Sequence, residues 1–174
     1  MKRLSIVLSI VILTVFLFGV FNLFYPLKYK NQIVKCAEEN NVDPPLIAAV
    51  INAESGFVAD KISKKGAIGL MQVMPSTAQY ITVKLKLENK DKAANLDLFD
   101  CETNIRVGVA YLSYLIKKFG DTDTALFAYN AGEGNVGRWL KDEKITKLKS
   151  CPFDETNAYV KKIKKSIKFY KFRI

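Results

Sequence analysis

Three observations on the 174-residue sequence predict an all-α fold. Apolar residues recur at helical spacing, most plainly at Ile105, Val109, Leu112, Ile116 and Phe119. Start and stop residues bracket the periodic segments: Asp43-Pro44 and Gly56 around one, Asp100 and Gly120 around another. No run alternates apolar and polar residues as a half-buried strand would. The expectation is a globular domain of short helices around one long central helix, preceded by an apolar N-terminal helix.

The elements follow in chain order. Residues 1–3 are a short basic start. Residues 4–25 carry no charge over 22 residues, roughly 33 Å as a helix and enough to cross a bilayer core. A cleaved signal peptide would have an apolar region of about 7–15 residues ending in small residues. The exit here is Asn22-Leu23-Phe24-Tyr25-Pro26-Leu27, so a retained transmembrane anchor is expected. Lys2 and Arg3 favour an N-terminus inside the cell, a bias that Lys28, Lys30 and Lys35 weaken. Residues 26–30 read as a juxtamembrane linker, 31–170 as the folded domain and 171–174 as a basic end. Lys28 to Asn40 is a first short helix with Ile33, Val34 and Ala37 on one side.

Pro44 to Glu54 is the next helix, with Asp43 as N-cap and Pro44 at the first helical position. Lys64, Lys65, Gly66 and Gly69 punctuate a loop over 63–69. Pro75 opens a helix to Val83 with Ala78 and Ile81 inward. The polar stretch 84–95 is partly helical, and Glu102 to Phe119 is the long central helix. Thr124 to Asn130 is short and apolar, and Gly132, Gly134 and Gly137 break the chain after it. A last helix runs from near Asp154 into the basic tail, with Tyr159, Ile163, Ile167 and Tyr170 at helical spacing.

The formal charge of +10 is unevenly placed. Residues 31–160 hold 16 Lys and Arg against 17 Asp and Glu, whereas 161–173 hold seven cations and no acid. A nucleic-acid binder would carry its basic patch on the domain itself, so that class is excluded. The basic last helix reads as docked on the core with a solvated lysine face, or as a contact for an anionic wall polymer or lipid headgroups. The absence of histidine excludes histidine-dependent zinc sites and Ser-His or Cys-His nucleophiles. Cys36, Cys101 and Cys151 lack metal-ligand spacing and allow any one of three bridges.

Glu54 is the candidate catalytic residue. Counting back three, four and seven positions gives Ile51, Val50 and Ile47, so its helix face is aliphatic. A carboxyl held against hydrocarbon loses hydration, its pKa rises, and it can act as a general acid near neutral pH. On helix geometry alone the competing reading is a Glu at a frayed end turned to solvent.

Four clusters alter that balance: Glu54-Ser55, Gly69-Leu70-Met71-Gln72, Ala128-Tyr129-Asn130-Ala131-Gly132, and Glu155-Thr156 with Tyr159-Val160. In this order and at these separations they resemble the catalytic domain of the soluble-type lytic transglycosylases, a family with a goose-lysozyme-like fold. The resemblance covers roughly Ala37 to Lys168. Met74-Pro75 with Thr77-Ala78, and Leu98-Phe99-Asp100 with Glu102 to Ile105, are similar to the family's flanking segments. Cys101 stands where the family usually has proline, and Asn157 where it has an arginine that makes a peripheral substrate contact.

The resemblance implies a lysozyme-like all-α fold and a peptidoglycan glycan strand as substrate, cut at the β-1,4 bond between N-acetylmuramic acid and N-acetylglucosamine. Glycoside cleavage generally needs an acid and a second stabilising group. Asp60, Glu133 and Glu155 are possible second carboxylates, none on an apolar face. The family does without one: the substrate's N-acetyl carbonyl attacks the anomeric carbon, and one glutamate serves as acid and then as base, leaving a 1,6-anhydro end. By position Glu54 is then the acid/base. Ser55 bonds near the reacting sugar, Gln72 holds the N-acetyl group and Met71 walls its methyl. Tyr129 bonds the glutamate or orients the N-acetyl carbonyl with Asn130 beside it, and Glu155 and Tyr159 brace the site. Read alone, Ser55 is a helix cap, Met71 core, Tyr129 a half-buried aromatic and Glu155 a first-turn acid. No metal or organic cofactor is implied. The expected location is the cell membrane, single-pass, with the catalytic domain extracytoplasmic. A lysozyme-type hydrolase of the same fold and a non-catalytic wall-binding scaffold stay open as alternatives.

Overall fold

The computed structural model describes residues 2–88 and 90–174; Met1 and Asn89, the latter inside the polar stretch 84–95, lie outside the described residues. Those residues form nine helices and no strand beyond isolated antiparallel bridges of Ile68 with Ile62 and with Val73.

Helix α1 (Lys2–Phe24) is apolar all round, and its stretch Ile6–Phe24 is long enough to cross a membrane; it is exposed along most of its length, with Val20, Phe21 and Asn22 half-buried at its end. Helix α2 (Lys30–Asn40) starts two residues later than expected, because Tyr29 takes a left-handed backbone conformation with φ 57°. It buries Ile33, Cys36 and Ala37, while Val34 is half-buried. Helix α3 (Pro44–Glu54) has the expected bounds; Asp43 stands at the cap position with extended backbone, but its carboxylate makes no capping bond. Helix α4 (Pro75–Lys84) turns Ala78 and Ile81 inward, and α5 (Lys90–Ala94) is the helical part of the polar stretch.

Helix α6 (Cys101–Phe119) is the central element. The Asp100 carboxylate accepts the Thr103 N–H at 2.8 Å, and Gly120 ends the helix at φ 64°. Its burial is wider than one stripe: Asn104, Val107, Ser113 and Leu115 are covered along with Ile105, Val109 and Leu112. The cause is that α2, α4 and α7 (Thr122–Ala131) all pack on it. The Asp121 carboxylate caps α7 through the Thr124 N–H at 2.9 Å.

The expected break after Asn130 is confined to Gly132, whose φ of 89° turns the chain. Gly134 and Gly137 lie inside a further helix, α8 (Glu133–Asp142). Buried Val136, with Trp139 and Leu140 packed on the core, holds this segment helical against the glycine preference. A methyl group at exposed Gly137 would meet no atom within 4 Å. Gly137→Ala is therefore expected to stabilise the chain by about 0.5–1 kcal/mol, read as a rise in Tm of about 2 °C.

Helix α9 (Asp154–Tyr170) packs along α3, with Tyr159, Val160, Ile163 and Tyr170 buried. All three cysteines are free thiols, Cys36 buried and the other two half-buried. Leu27 and Tyr29 pack on the core, so residues 26–30 lie against the body of the domain.

Candidate active site

Helix α3 delivers Glu54 from a face whose other members, Ile47, Val50 and Ile51, are wholly buried. Glu54 as a whole is half-buried and lines a cavity of about 800 Å³. Gln72, Met74, Tyr129, Asn130 and Glu155 share that lining. The packing of α9 on α3 brings Tyr159 to Glu54, and its hydroxyl donates to the carboxyl Oε1 at 2.7 Å. Two lysines cap the end of α3: Lys61 donates to the Glu54 carbonyl, and Lys162 to the Ala53 carbonyl at 3.3 Å.

Burial dominates the electrostatics. Loss of hydration pushes the Glu54 carboxyl from the ordinary 4.5 up to about 7, against the smaller opposing pulls of the Tyr159 hydroxyl and the Lys61 and Lys162 charges. Burial, reinforced by the Glu54 charge, holds the Tyr129 and Tyr159 phenols well above their usual value, so both stay hydrogen-bond donors. The stability consequence has a definite sign. Because the folded carboxyl ionises later than the unfolded one, its contribution to stability is full below about pH 4.5 and is lost as the pH rises to about 7.

The opposite wall is the loop 61–73. Asn104 of α6, 1% exposed, pins it: Oδ1 accepts the Met71 N–H at 2.8 Å, and Nδ2 donates to the carbonyls of Ile68 and Leu98 at 2.9 and 2.8 Å. Only glycine fits at position 69, where φ is 79° and a Cβ would lie 2.2 Å from Asn104 Nδ2. Gln72 follows at φ 48°. Its amide nitrogen donates to the carbonyls of Lys61 and Gly69 at 3.0 and 2.9 Å, which leaves the oxygen as the group it can offer a ligand.

The sequence-derived site residues are placed as follows. Glu54, Gln72, Tyr129, Asn130 and Glu155 meet at one cavity, with Tyr159 behind Glu54. Tyr129 bonds the Met71 carbonyl at 2.9 Å, so the tyrosine on the glutamate is Tyr159. Glu155 is exposed at the cavity edge. Ser55 and Met71 lie outside the lining. The Ser55 hydroxyl donates to the Ile51 carbonyl at 3.2 Å and accepts the Phe57 N–H at 3.1 Å, a helix-end cap. Met71 is fully buried against Gly108, and the larger apolar residues at the cavity are Met74 and Phe153.

Asn157 clamps Cys151 by accepting its N–H at 2.9 Å and donating to its carbonyl at 2.8 Å. Three contributors were not legible as site residues. Thr156 donates to Asn130 Oδ1 at 2.7 Å, and its only signal was its place beside Glu155. Lys61 and Lys162 reach the end of α3 from far along the chain, with no motif to mark them.

Removing the Tyr159 hydroxyl deletes a bond that favours ionised Glu54. Tyr159→Phe is therefore expected to move the alkaline limb of any Glu54-dependent activity to higher pH, measured as a rate–pH profile beside the wild type.

This lysozyme-like helical body, closed around a single braced glutamate, has counterparts of known family. The model of the transglycosylase SLT domain matches residues 31–150. The "Soluble lytic murein transglycosylase" of Salmonella typhimurium is 34% identical over 145 residues, 80% of this chain and 22% of that protein. The "Membrane-bound lytic murein transglycosylase C" of Yersinia pestis is 35% identical over 125 residues, 67% of this chain and 35% of that protein. The X-ray structure of the lytic transglycosylase Slt of Pseudomonas aeruginosa, an inactive glutamate-to-glutamine mutant, superposes with a TM-score of 0.73 at 32% identity. That match covers 87% of this chain and 25% of the solved one. The chain belongs to the transglycosylase SLT domain family. It spans between about a fifth and a third of the length of these relatives.

Proposed function

We propose that this chain is a membrane-anchored peptidoglycan lytic transglycosylase that cleaves the β-1,4 bond between N-acetylmuramic acid and N-acetylglucosamine. The observation that carries the reading is Glu54: a carboxyl in an open cavity, bonded by a buried tyrosine and raised to about 7 by burial. Protonated Glu54 gives its proton to the leaving glycosidic oxygen as the C–O bond breaks. The substrate's N-acetyl carbonyl captures the anomeric carbon in the same step, so no second carboxylate is required of the protein. Glu54, now ionised and held by Tyr159, takes the proton of the muramyl 6-hydroxyl. That oxygen displaces the N-acetyl group and closes the 1,6-anhydro ring, returning Glu54 to its protonated state.

Around that cycle the Gln72 oxygen accepts the N-acetyl N–H, and Met74 gives the sugar an apolar contact. Asn130, steadied by Thr156, and Glu155 bind hydroxyls along the cleft. Tyr129 and Met71 act as positioning residues through their mutual bond, and Ser55 holds the turn that aims Glu54. Helix α1 crosses the cell membrane once and leaves the domain on the extracytoplasmic side, where the substrate is. Mass spectrometry of purified wall digested by the full chain tests the reading. Muropeptides with anhydro ends are expected. Reducing ends mark a hydrolase of the same fold, and absence of released products marks a wall-binding module.

A further inference from the structure

We propose that the junction between the end of α1 and the end of α9 is a docking surface for the anionic phospholipid headgroups of the leaflet from which α1 emerges. The inference rests on α1 being a membrane span and is independent of the sugar chemistry.

The two helix ends are bonded together, not merely tethered. Tyr25, the residue after α1, stacks on Phe169 at 4.3 Å, and Phe21 meets the same ring at 6.0 Å. The Tyr170 hydroxyl donates to the Pro26 carbonyl at 2.9 Å. The Arg173 guanidinium donates to Asn22 Oδ1 at 2.8 Å and to the Tyr25 carbonyl, and lies 5.5 Å from the centre of the Phe21 ring. Asn52 of α3 donates to the Phe24 carbonyl at 3.1 Å. The end of the span is thereby fixed to the domain.

The clamp dictates where the cations stand. Lys168 and Lys171 flank the Phe169-Tyr170 pair that touches the span, and Lys28 follows its exit. All three are exposed and have no acidic partner among the described residues, and residues 1–37 and 161–174 contain no acid at all. Lys161 and Lys165 continue the line along α9 at i and i+4 ahead of Lys168 at i+7. Phe172, 90% exposed, stands among these cations at the membrane end. Lysines with an uncovered aromatic at the end of a bilayer-spanning helix match a headgroup region, which offers anionic charge outside and acyl chains just below. Each lysine near an anionic surface is expected to raise the docking equilibrium constant about fivefold.

Docking also sets a height: Tyr159 precedes Tyr170 by eleven residues, so Glu54 stays within roughly 16 Å along α9 of the membrane end.

The full chain is reconstituted into phosphatidylcholine vesicles with or without about 30% phosphatidylglycerol, a content chosen to give an anionic surface of the kind that attracts basic residues. The difference in emission between Phe172→Trp and the wild type, and its quenching by brominated lipid, report where that ring lies. The chain is expected to float with both vesicles. Blue-shifted emission and several-fold stronger quenching are expected with phosphatidylglycerol, and return to the phosphatidylcholine level in a variant with Lys28, Lys168 and Lys171 all changed to Gln. That variant should release muropeptides in detergent as the wild type does. Equal quenching in the two vesicles overturns the proposal. So does a response to soluble poly(glycerol phosphate) without a difference between bilayers, which marks a wall-polymer site. A chain that floats with neither overturns the span reading, and the docking surface with it.

Discussion

Glu54→Gln is expected to lower release of muropeptides from purified wall by about 10²–10⁴-fold while the chain stays folded and still binds glycan. Glutamine keeps the size of the side chain and a hydrogen-bond partner for Tyr159, whose hydroxyl lies 2.7 Å from the native carboxyl. What it removes is the proton that can be given and taken back. The variant also loses the cost of ionising a carboxyl whose folded pKa is raised to about 7, so above pH 7 its Tm should equal or exceed that of the wild type. Lost turnover with retained stability is the signature of a functional residue held in an unfavourable environment. In the wild type the same carboxyl should make activity fall as the pH rises through about 7, where the acid form is lost. A variant that clears wall as fast as the wild type would remove Glu54 from the chemistry altogether.

The largest structural effect is expected from Asn104→Ala. Asn104 is 1% exposed and satisfies three backbone groups at once, the Met71 N–H and the carbonyls of Ile68 and Leu98. Truncation leaves those groups facing a small cavity that the amide had filled. Each unsatisfied buried group costs about 1–3 kcal/mol, and the loop can recover part of that by admitting water. A net loss of about 3–5 kcal/mol is expected, a fall in Tm of about 10 °C or more by thermal denaturation. Activity should fall as well, because the Met71 carbonyl that Asn104 positions accepts the Tyr129 hydroxyl, and Gln72 is the next residue. A Tm within about 2 °C of the wild type, well under one unsatisfied group's worth, would show that the loop is held by something else.

Helices whose signals are local were legible in the sequence. Helix α3 was bracketed by Asp43-Pro44 and Gly56, and α6 by Asp100 and Gly120, and both occupy those bounds to within a residue. Helix α8 was not legible, because Gly134 and Gly137 signal a break locally and the burial of Val136 that overrides them is a tertiary fact. The site divides the same way. Glu54 is legible because its aliphatic face is a property of one helix. The bond it receives from Tyr159, 105 residues away, depends on α9 lying along α3, which spacing within a helix does not reveal. Asn104 reads from the sequence as one polar position on a central helix. Its three bonds need the loop at Gly69 folded against it.

Carboxyl-carbon NMR of the ¹³C-glutamate-labelled chain, with Glu54→Gln used to assign the resonance, measures the property on which the mechanism stands. The Glu54 carboxyl is expected to titrate with a midpoint of about 7. A midpoint near that of an ordinary solvated glutamate, about 4.3, would contradict that mechanism.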